Sequence, residues 1–192
     1  IRADASLDEE TQMLLGVVGG EAARINRILR DFSTYLKMPP PQPAVLDVAR
    51  LIRHLLAQLR REGVLAKEVR VEDDLPATAE VWADEVLVEY ALSNVLRNAA
   101  EAMHEGGVLR VWRTDGEPPA FCVEDSGPGF GTESLQRAFD PFYSTHAQQS
   151  GLGLTIARAA AESSGGRIHL ENRAGSTPGA RVCLEFPAAP ND

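Results

Sequence analysis

The sequence predicts an α/β protein of the α+β kind. We expect a two-layer sandwich, in which helices cover one face of a mixed sheet, preceded by a bundle-type helix. Three observations lead to this prediction. Strand-like segments occur in adjacent pairs joined by short turns, helical segments separate these pairs, and a seven-residue apolar repeat precedes them all. Paired strands alternating with helices are typical of a sheet with one helical layer.

Composition excludes several classes of partner. The 19 basic and 28 acidic residues give a net charge of −9, which argues against nucleic acids and anionic membranes, since both bind basic patches. No apolar stretch approaches the roughly 18–20 residues of a membrane span, and no secretory leader pattern opens the chain. We therefore expect a cytoplasmic segment without direct membrane contact. We expect Cys122 and Cys183, each in an apolar run, to be buried thiols rather than a disulfide.

The first segment, residues 1–38, carries the seven-residue repeat. Such a repeat forms the seam of a bundle helix, and Arg24, Arg27 and Arg30 lie off it. Each glycine of the GVVGG stretch costs about 1 kcal/mol relative to alanine, so we expect the helix to begin near Gly20. The seam favours a partner helix from elsewhere, the alternative being an amphipathic helix packed on its own domain. Its members are Val18, Ile25, Phe32 and Leu15, Ala22, Leu29, Leu36.

A proline-rich stretch at residues 39–43 separates the two segments. Proline lacks the amide donor and fixes φ, so this stretch is a stiff linker and the expected domain boundary. The second segment, residues 44–192, opens with helices that Asp47 and Asp84 are expected to cap. The sequence predicts helices at 47–61, 84–104, 132–138 and 152–164, and strands at 67–73, 107–114, 119–125, 166–173 and 180–186.

Two asparagines on the second of these helices are candidate ligands. Asn94 and Asn98 are four residues apart and share one helical face. Asparagine is a poor residue inside a helix, because its amide competes with the backbone, so both require a partner. An amide oxygen can complete a Mg²⁺ shell that phosphates and waters already fill. The alternative is that neighbouring backbone satisfies both side chains.

The stretch "DSGPGFG" follows a predicted strand. Asp125 ends the strand, and Gly127, Gly129 and Gly131 permit close approach to the backbone. The carboxylate at the floor of such a cleft accepts hydrogen bonds only, as from the amino group of adenine. A tight turn with a capping aspartate is the alternative.

Two further stretches extend the pattern. In "SGLGL", Gly151 and Gly153 open a helix whose free amides suit a phosphate, although the pair could be only a helix start. In "FDPFYSTHAQQ", Phe139 and Phe142 bracket a proline beside a polar stretch. We expect a flap whose base the two rings anchor, the alternative being a surface loop with two core plugs.

The order of these stretches resembles the catalytic and ATP-binding domain of sensor histidine kinases. This domain belongs to the wider family shared with type II topoisomerases and heat-shock chaperones. "NVLRNAAEAM" resembles the N box, "DSGPGF" the G1 box, "FDPFYSTH" the F box and "GLGL" the G2 box. The later "GARVCLEF" is a looser match to the last glycine-containing strand. The resemblance covers about residues 44–187.

The resemblance implies ATP and Mg²⁺ as ligands and gives each motif a role. Asp125 would recognise the adenine amino group, and Asn98 would complete the Mg²⁺ shell with Asn94 beside it. Gly127 and Gly129 would let the adenine approach. The lid would lie between Phe142 and Ser150, with His146 where relatives often carry a lysine. The expected phosphate-binding residues are Gly151, Leu152, Gly153 and Leu154.

The resemblance also implies partners and a division of labour. Its members carry a phosphoacceptor histidine on the first helix of a dimerising hairpin, and residues 1–38 resemble the second helix. None of the four histidines here has that setting, and His104 with Glu105 is expected to be a surface pair. We expect a fragment that donates a phosphoryl group to a histidine elsewhere, within a homodimer that serves a response regulator. This would be the cytoplasmic part of a sensor. The alternative is a kinase-like scaffold that binds a partner without phosphotransfer.

Overall fold

The structure is a computed structural model that describes residues 8–145, 149–174 and 177–190. Its helices and strands alternate along the chain much as the sequence predicts. The helices are α1 (Glu9–Leu36), α2 (Val48–Arg61), α3 (Glu85–Ala102), α4 (Thr132–Arg137) and α5 (Gly153–Ser163). The strands are β1 (Ala44–Asp47), β2 (Val69–Asp74), β3 (Glu80–Ala83), β4 (Gly107–Arg113), β5 (Ala120–Asp125), β6 (Arg167–Asn172) and β7 (Ala180–Glu185).

Five strands form a mixed sheet in the order β2-β4-β5-β7-β6. Strands β2 and β4 are parallel, and the other neighbours are antiparallel. Helices α2, α3 and α5 pack with the sheet around one apolar core. The two-layer sandwich is therefore confirmed. Strands β1 and β3 form a separate antiparallel pair that the sequence did not reveal, because four residues are too few for a clear alternation.

The core lies between the sheet and the helices. Phe121 and Phe186 are fully buried, and their ring centroids lie 6.4 Å apart. Leu109 on β4 and Leu184 on β7, the strands on either side of β5, are equally buried and belong to the same apolar cluster as Leu92 of α3. This packing holds the carboxyl end of β5 beside α3, where the candidate site lies.

The opposite face of the sheet carries charged and aromatic side chains. Glu124 is buried beneath two arginines and pairs with Arg173 at 3.1 Å and with Arg181 at 2.6 Å. The guanidinium groups of Arg110 and Arg181 lie 5.2 and 5.3 Å from the ring of Trp112. These ion pairs and cation–π contacts allow this face to remain without a helical layer.

The cysteines differ from the prediction, because Cys122 and Cys183 form a disulfide. The two residues face each other directly in the register between β5 and β7, with a Cα–Cα distance of 4.1 Å. The sequence shows an apolar setting for each cysteine but not which strands are neighbours. The expectation of reduced thiols was therefore wrong.

Helix α1 begins at Glu9, well before the predicted start near Gly20. Asp8 caps it by accepting a hydrogen bond from the amide of Thr11 at 2.6 Å. A Cβ on Gly16, Gly19 or Gly20 would meet no atom within 4 Å, so the glycines weaken the helix without interrupting it. The seam is exposed along its length, at Leu15, Val18, Ile25, Leu29, Phe32 and Leu36.

Both predicted caps are confirmed. Asp47 accepts from the amides of Ala49 and Arg50 at the start of α2, and Asp84 accepts from Leu87 at the start of α3.

No helix in the described part of the chain is long and apolar enough to cross a membrane.

Candidate functional site

A cavity of about 560 Å³ opens between α3, the end of β5 and the start of α5, and α1 closes one side of it. Many of the site residues predicted from the sequence line this cavity. Gly127, Phe142 and Leu152 are close by but do not line it, and His146 lies outside the described residues. The lining residues that the sequence predicted are Asn94, Asn98, Asp125, Gly129, Gly151, Gly153 and Leu154.

Asp125 lies at the floor of the cavity and is only 6% exposed. Its Oδ1 accepts hydrogen bonds from the amides of Gly127 at 2.9 Å and Ala180 at 3.2 Å. Burial raises the pKa of this carboxyl, the two amides oppose the rise, and the charge of Glu124 adds to it. Both backbone bonds fall on Oδ1, so Oδ2 has capacity for a donor in the cavity.

The two asparagines of α3 differ in their partners. Asn94 donates from Nδ2 to the carbonyl of Tyr90 at 2.8 Å, which fixes its amide and leaves Oδ1 near Gly153. Asn98 is half-buried and lines the cavity, and its side chain makes no hydrogen bond with any residue that the structure describes. The backbone therefore satisfies Asn94, as the alternative foresaw, whereas the amide of Asn98 is open to a ligand.

The glycines after Asp125 are required by the protein's own packing. A Cβ on Gly127 would lie 3.0 Å from the carbonyl oxygen of Ala102 and from the Asp125 carboxylate. Gly129 has φ +73°, and its Cβ would lie 2.9 Å from the carbonyl oxygen of Gly179. These contacts bring α3, β5 and the β6–β7 connection together, and so they shape the cavity before any ligand enters.

The two ends of the predicted lid touch through their backbones. Gly151 has φ +68°, and a Cβ there would lie 2.5 Å from the carbonyl carbon of Phe142, which itself has φ 65°. The Phe142 ring is 60% exposed, so the expectation that it anchors the flap was wrong. Phe139 is half-buried, and its carbonyl accepts from the hydroxyl of Thr155 at 3.2 Å.

The start of α5 presents free backbone donors to the cavity. Leu152 is the N-cap residue, and no side chain caps the helix. The amide of Leu152 donates to the hydroxyl of Ser150 at 3.2 Å. Gly153 and Leu154 line the cavity, where the positive end of the helix dipole favours an anion.

Sequence reasoning missed several lining residues. Tyr90, Arg97 and Glu101 lie on the face of α3 that carries the asparagines, and spacings of three and four residues could have revealed them. Helix α1 contributes Arg30, Asp31 and Thr34, which no local pattern links to the site.

The polar groups fit a nucleotide with its magnesium ion. The described residues contain no group of three or more His, Cys, Asp or Glu side chains that could hold a metal ion. A Mg²⁺ ion here would therefore take its ligands from phosphates and waters together with the Asn98 amide oxygen. Asp125 is a buried acceptor at the floor of the cavity, and the start of α5 carries donors that suit an anion.

A family model of the histidine kinase-, DNA gyrase B- and HSP90-like ATPases matches residues 83–190. The chain belongs to this family. The matched residues of this ATPase domain run from the end of β3 past β7, and they include all the predicted site residues.

Curated relatives of the chain are named as sensor proteins. The C4-dicarboxylate transport sensor protein DctS of Rhodobacter capsulatus is 32% identical over 88% of this chain and 27% of that protein. Sensor histidine kinase ZraS of Escherichia coli O157:H7 is 31% identical over 93% of this chain and 39% of that protein. The chain thus spans about a quarter to two fifths of the length of these relatives.

Solved structures agree on the fold of the ATPase domain. The mycobacterial sensor histidine kinase MprB has a TM-score of 0.69 at 25% identity, over 78% of this chain and 100% of that one. The catalytic domain of histidine kinase ThkA has a TM-score of 0.67 at 28% identity, over 76% of this chain and 95% of that one. Full-length ShkA, solved in complex with AMPPNP, shares the fold with a TM-score of 0.73 at 19% identity, over 95% of this chain and 40% of that one. The ATPase domain is therefore of the histidine-kinase type.

Proposed function

We propose that the chain binds Mg·ATP and donates the γ-phosphoryl group to a histidine on a dimerisation helix outside the printed sequence. The observation that carries this proposal is Asp125. Two backbone amides hold its buried carboxylate at the floor of a cavity that the unpartnered amide of Asn98 also lines. The family and its sensor-kinase relatives support the same assignment.

Each residue has a task that follows from its position. Oδ2 of Asp125 accepts a hydrogen bond from the amino group of the adenine and thereby sets how deeply the base enters the cavity. The first amides of α5, at Gly153 and Leu154, donate hydrogen bonds to phosphate oxygens at the positive end of the helix. Asn98 would hold Mg²⁺ through its amide oxygen, and the ion would supply positive charge to stabilise the transferring phosphoryl group.

Asn94 favours transfer over hydrolysis. Its amide cannot accept a proton from water, and the bond to the Tyr90 carbonyl holds it as a donor. No base therefore stands at this position to activate a water molecule. The phosphoryl group leaves for a positioned acceptor, and no histidine in the described part of the chain lines the cavity. His104 is a surface pair with Glu105 at 3.8 Å, as expected.

The partners follow from the exposed seam of α1. Its apolar residues, among them Leu29 at 59% exposure and Leu36 at 65%, would pack against the other helices of a homodimeric hairpin bundle. A response regulator would take the phosphoryl group from the histidine of that bundle.

Calorimetric titration with Mg·ADP and a non-hydrolysable ATP analogue tests the proposal. We expect micromolar binding that Asp125→Asn abolishes. Asn98→Ala should instead remove the dependence of affinity on Mg²⁺. Asp115→Asn, on the loop between β4 and β5 and away from the cavity, is the control. Absence of binding in the unmutated chain would overturn the proposal and favour a scaffold without phosphotransfer.

A further inference from the structure

Helix α1 forms one wall of the nucleotide cavity. Arg30, Asp31 and Thr34 line it together with Asn94 and Asn98 of α3. The family model begins only at residue 83, so it does not include α1. The role of this wall thus requires its own explanation.

A hydrogen bond ties this wall to the end of the lid. The hydroxyl of Ser150 donates to Oδ2 of Asp31 at 2.5 Å, across 119 residues of sequence. The same hydroxyl accepts from the amide of Leu152, directly before α5. Asp31 therefore connects α1 to the segment whose amides face the phosphates.

Two arginines line the cavity in the described part of the chain, and they differ in their ion pairs. Arg97 pairs with Glu62 at 3.1 Å, whereas Arg30 makes no ion pair with any residue that the structure describes. A triphosphate brings several negative charges into a lining that is already acidic. The charged lining residues in the described part of the chain are Arg30, Arg97, Asp31, Glu101 and Asp125.

The position of Arg30 on α1 is compatible with the exposed seam. At about 100° per residue, Arg30, Asp31 and Thr34 project from the side of the helix opposite the seam. The seam side carries Ile25 and Phe32, both exposed. One helix can therefore contact a partner helix and the cavity at the same time.

We propose that Arg30 of α1 contacts the terminal phosphates of the bound nucleotide, and that Asp31 is a positioning residue that holds α1 against the cavity through Ser150. This inference rests on the proposed function, because it requires the nucleotide in this cavity. A guanidinium group suits the task, since its planar donors match phosphate oxygens. Nucleotide binding and the docking of α1 are then coupled.

Titration of Arg30→Gln with adenosine, ADP and a non-hydrolysable ATP analogue tests the phosphate contact. We expect affinity for the ATP analogue to fall about tenfold, as for one lost charge-assisted hydrogen bond, while affinity for adenosine is unchanged. Arg24→Gln is the matched control, because Arg24 lies on the same helix outside the cavity and pairs with Glu21 at 3.5 Å.

The outcomes separate this inference from the proposed function. If the unmutated chain binds neither adenosine nor the ATP analogue, both fall together. If it binds the analogue and Arg30→Gln binds it equally well, the contact with Arg30 is overturned and the proposed function stands. Equal losses for adenosine and the analogue would also overturn it, since they indicate a structural role.

Two substitutions at Asp31 test the tether. Asp31→Asn removes the charge but keeps an acceptor for Ser150, whereas Asp31→Ala removes both. We expect Asp31→Ala to bind the ATP analogue several-fold more weakly than Asp31→Asn does. Adding Arg30→Gln should then weaken binding less in the Asp31→Ala background than in the unmutated chain. Equal affinities of the two Asp31 variants, or additive effects with Arg30→Gln, would overturn the positioning role.

Discussion

At the scale of single residues, Asp125 serves two purposes with its two oxygens. Oδ1 closes the turn after β5 by accepting from Gly127 and Ala180, and Oδ2 is left for a ligand. Asparagine can reproduce the first function, because its carbonyl oxygen accepts the same two amides. It can also offer a donor where the carboxylate offers an acceptor. Asp125→Asn therefore separates binding from folding.

The pH dependence of stability provides a check on Asp125. Burial raises its pKa above the ordinary value of 3.8. At pH values between the ordinary and the raised pKa, the native protein therefore retains a proton that the unfolded chain has released. The contribution of Asp125 to stability is thus largest below the ordinary pKa, and it falls as pH rises through the raised pKa. Asp125→Asn does not ionise. We expect the free energy of unfolding of Asp125→Asn to increase relative to that of the unmutated chain as pH rises.

Denaturant unfolding of both proteins from about pH 4 to pH 8 measures this gain. The difference between the two free energies should grow as pH rises towards the raised pKa of Asp125 and become constant above it. A difference that is constant throughout would contradict the raised pKa.

Gly151 tests the contact between the two ends of the lid. In Gly151→Ala, the alanine would be strained at φ +68°, and its Cβ would clash with the Phe142 backbone at 2.5 Å. Gly63 has φ +73° but no atom within 4 Å of its Cβ, so Gly63→Ala carries the strain alone. We expect Gly151→Ala to lower affinity for an ATP analogue several-fold and Gly63→Ala to leave it unchanged. Similar affinities for the two variants would show that the lid tolerates the displacement.

At the scale of elements, the parts that local chemistry determines could be predicted from the sequence. Asp47 and Asp84 marked the starts of α2 and α3, because a capping carboxylate acts on amides two or three residues away. The start of α1 was misjudged, since propensity gave the cost of each glycine but not the cap at Asp8 or the length of helix that offsets it.

The cap at Asp84 has a second function that affects the whole linker. Its Oδ1 accepts from Leu87 at 2.9 Å, and its Oδ2 accepts from the amide of Gln42 at 2.7 Å. Asp84 thus fastens the proline-rich linker to the start of α3. Because this carboxylate is only 6% exposed, its removal leaves two amides with reduced access to water.

We expect Asp84→Ala to destabilise the protein by about 2 kcal/mol and to lower Tm by several degrees. Asp8→Ala removes an exposed cap, with one amide at 2.6 Å, and serves as the control. Its effect on Tm should be much smaller. Thermal unfolding followed by circular dichroism makes the comparison. If both variants lower Tm equally, the linker contact contributes nothing beyond an ordinary cap.

At the scale of the whole molecule, the sequence could not reveal the contacts between distant segments. The asparagines, Asp125 and the glycines were found because each motif is local. The α1 wall was missed because Asp31 and Ser150 are 119 residues apart. The disulfide was missed for the same reason, since the pairing of β5 with β7 places Cys122 opposite Cys183.

The disulfide joins the two strands that hold Asp125 and the amide of Ala180. It closes a loop with a sequence separation of 61 residues, which includes α4, the lid and α5. A loop of this length contributes about 4 kcal/mol to stability by restricting the unfolded chain, which corresponds to roughly 10 °C in Tm for a protein of this size. We therefore expect a thiol reductant to lower Tm by about this amount.

The double variant Cys122→Ala/Cys183→Ala is the control, because a reductant has no bond to cleave in it. Its Tm should not respond to reductant and should lie near that of the reduced unmutated protein. Alkylation followed by mass measurement reports the thiols directly, with none labelled before reduction and two afterwards. Two labelled thiols before any reductant is added, with a Tm that does not respond to reductant, would show that the hydrogen bonds alone hold β5 and β7 together. The ladder between them would then suffice to position Asp125 against Ala180.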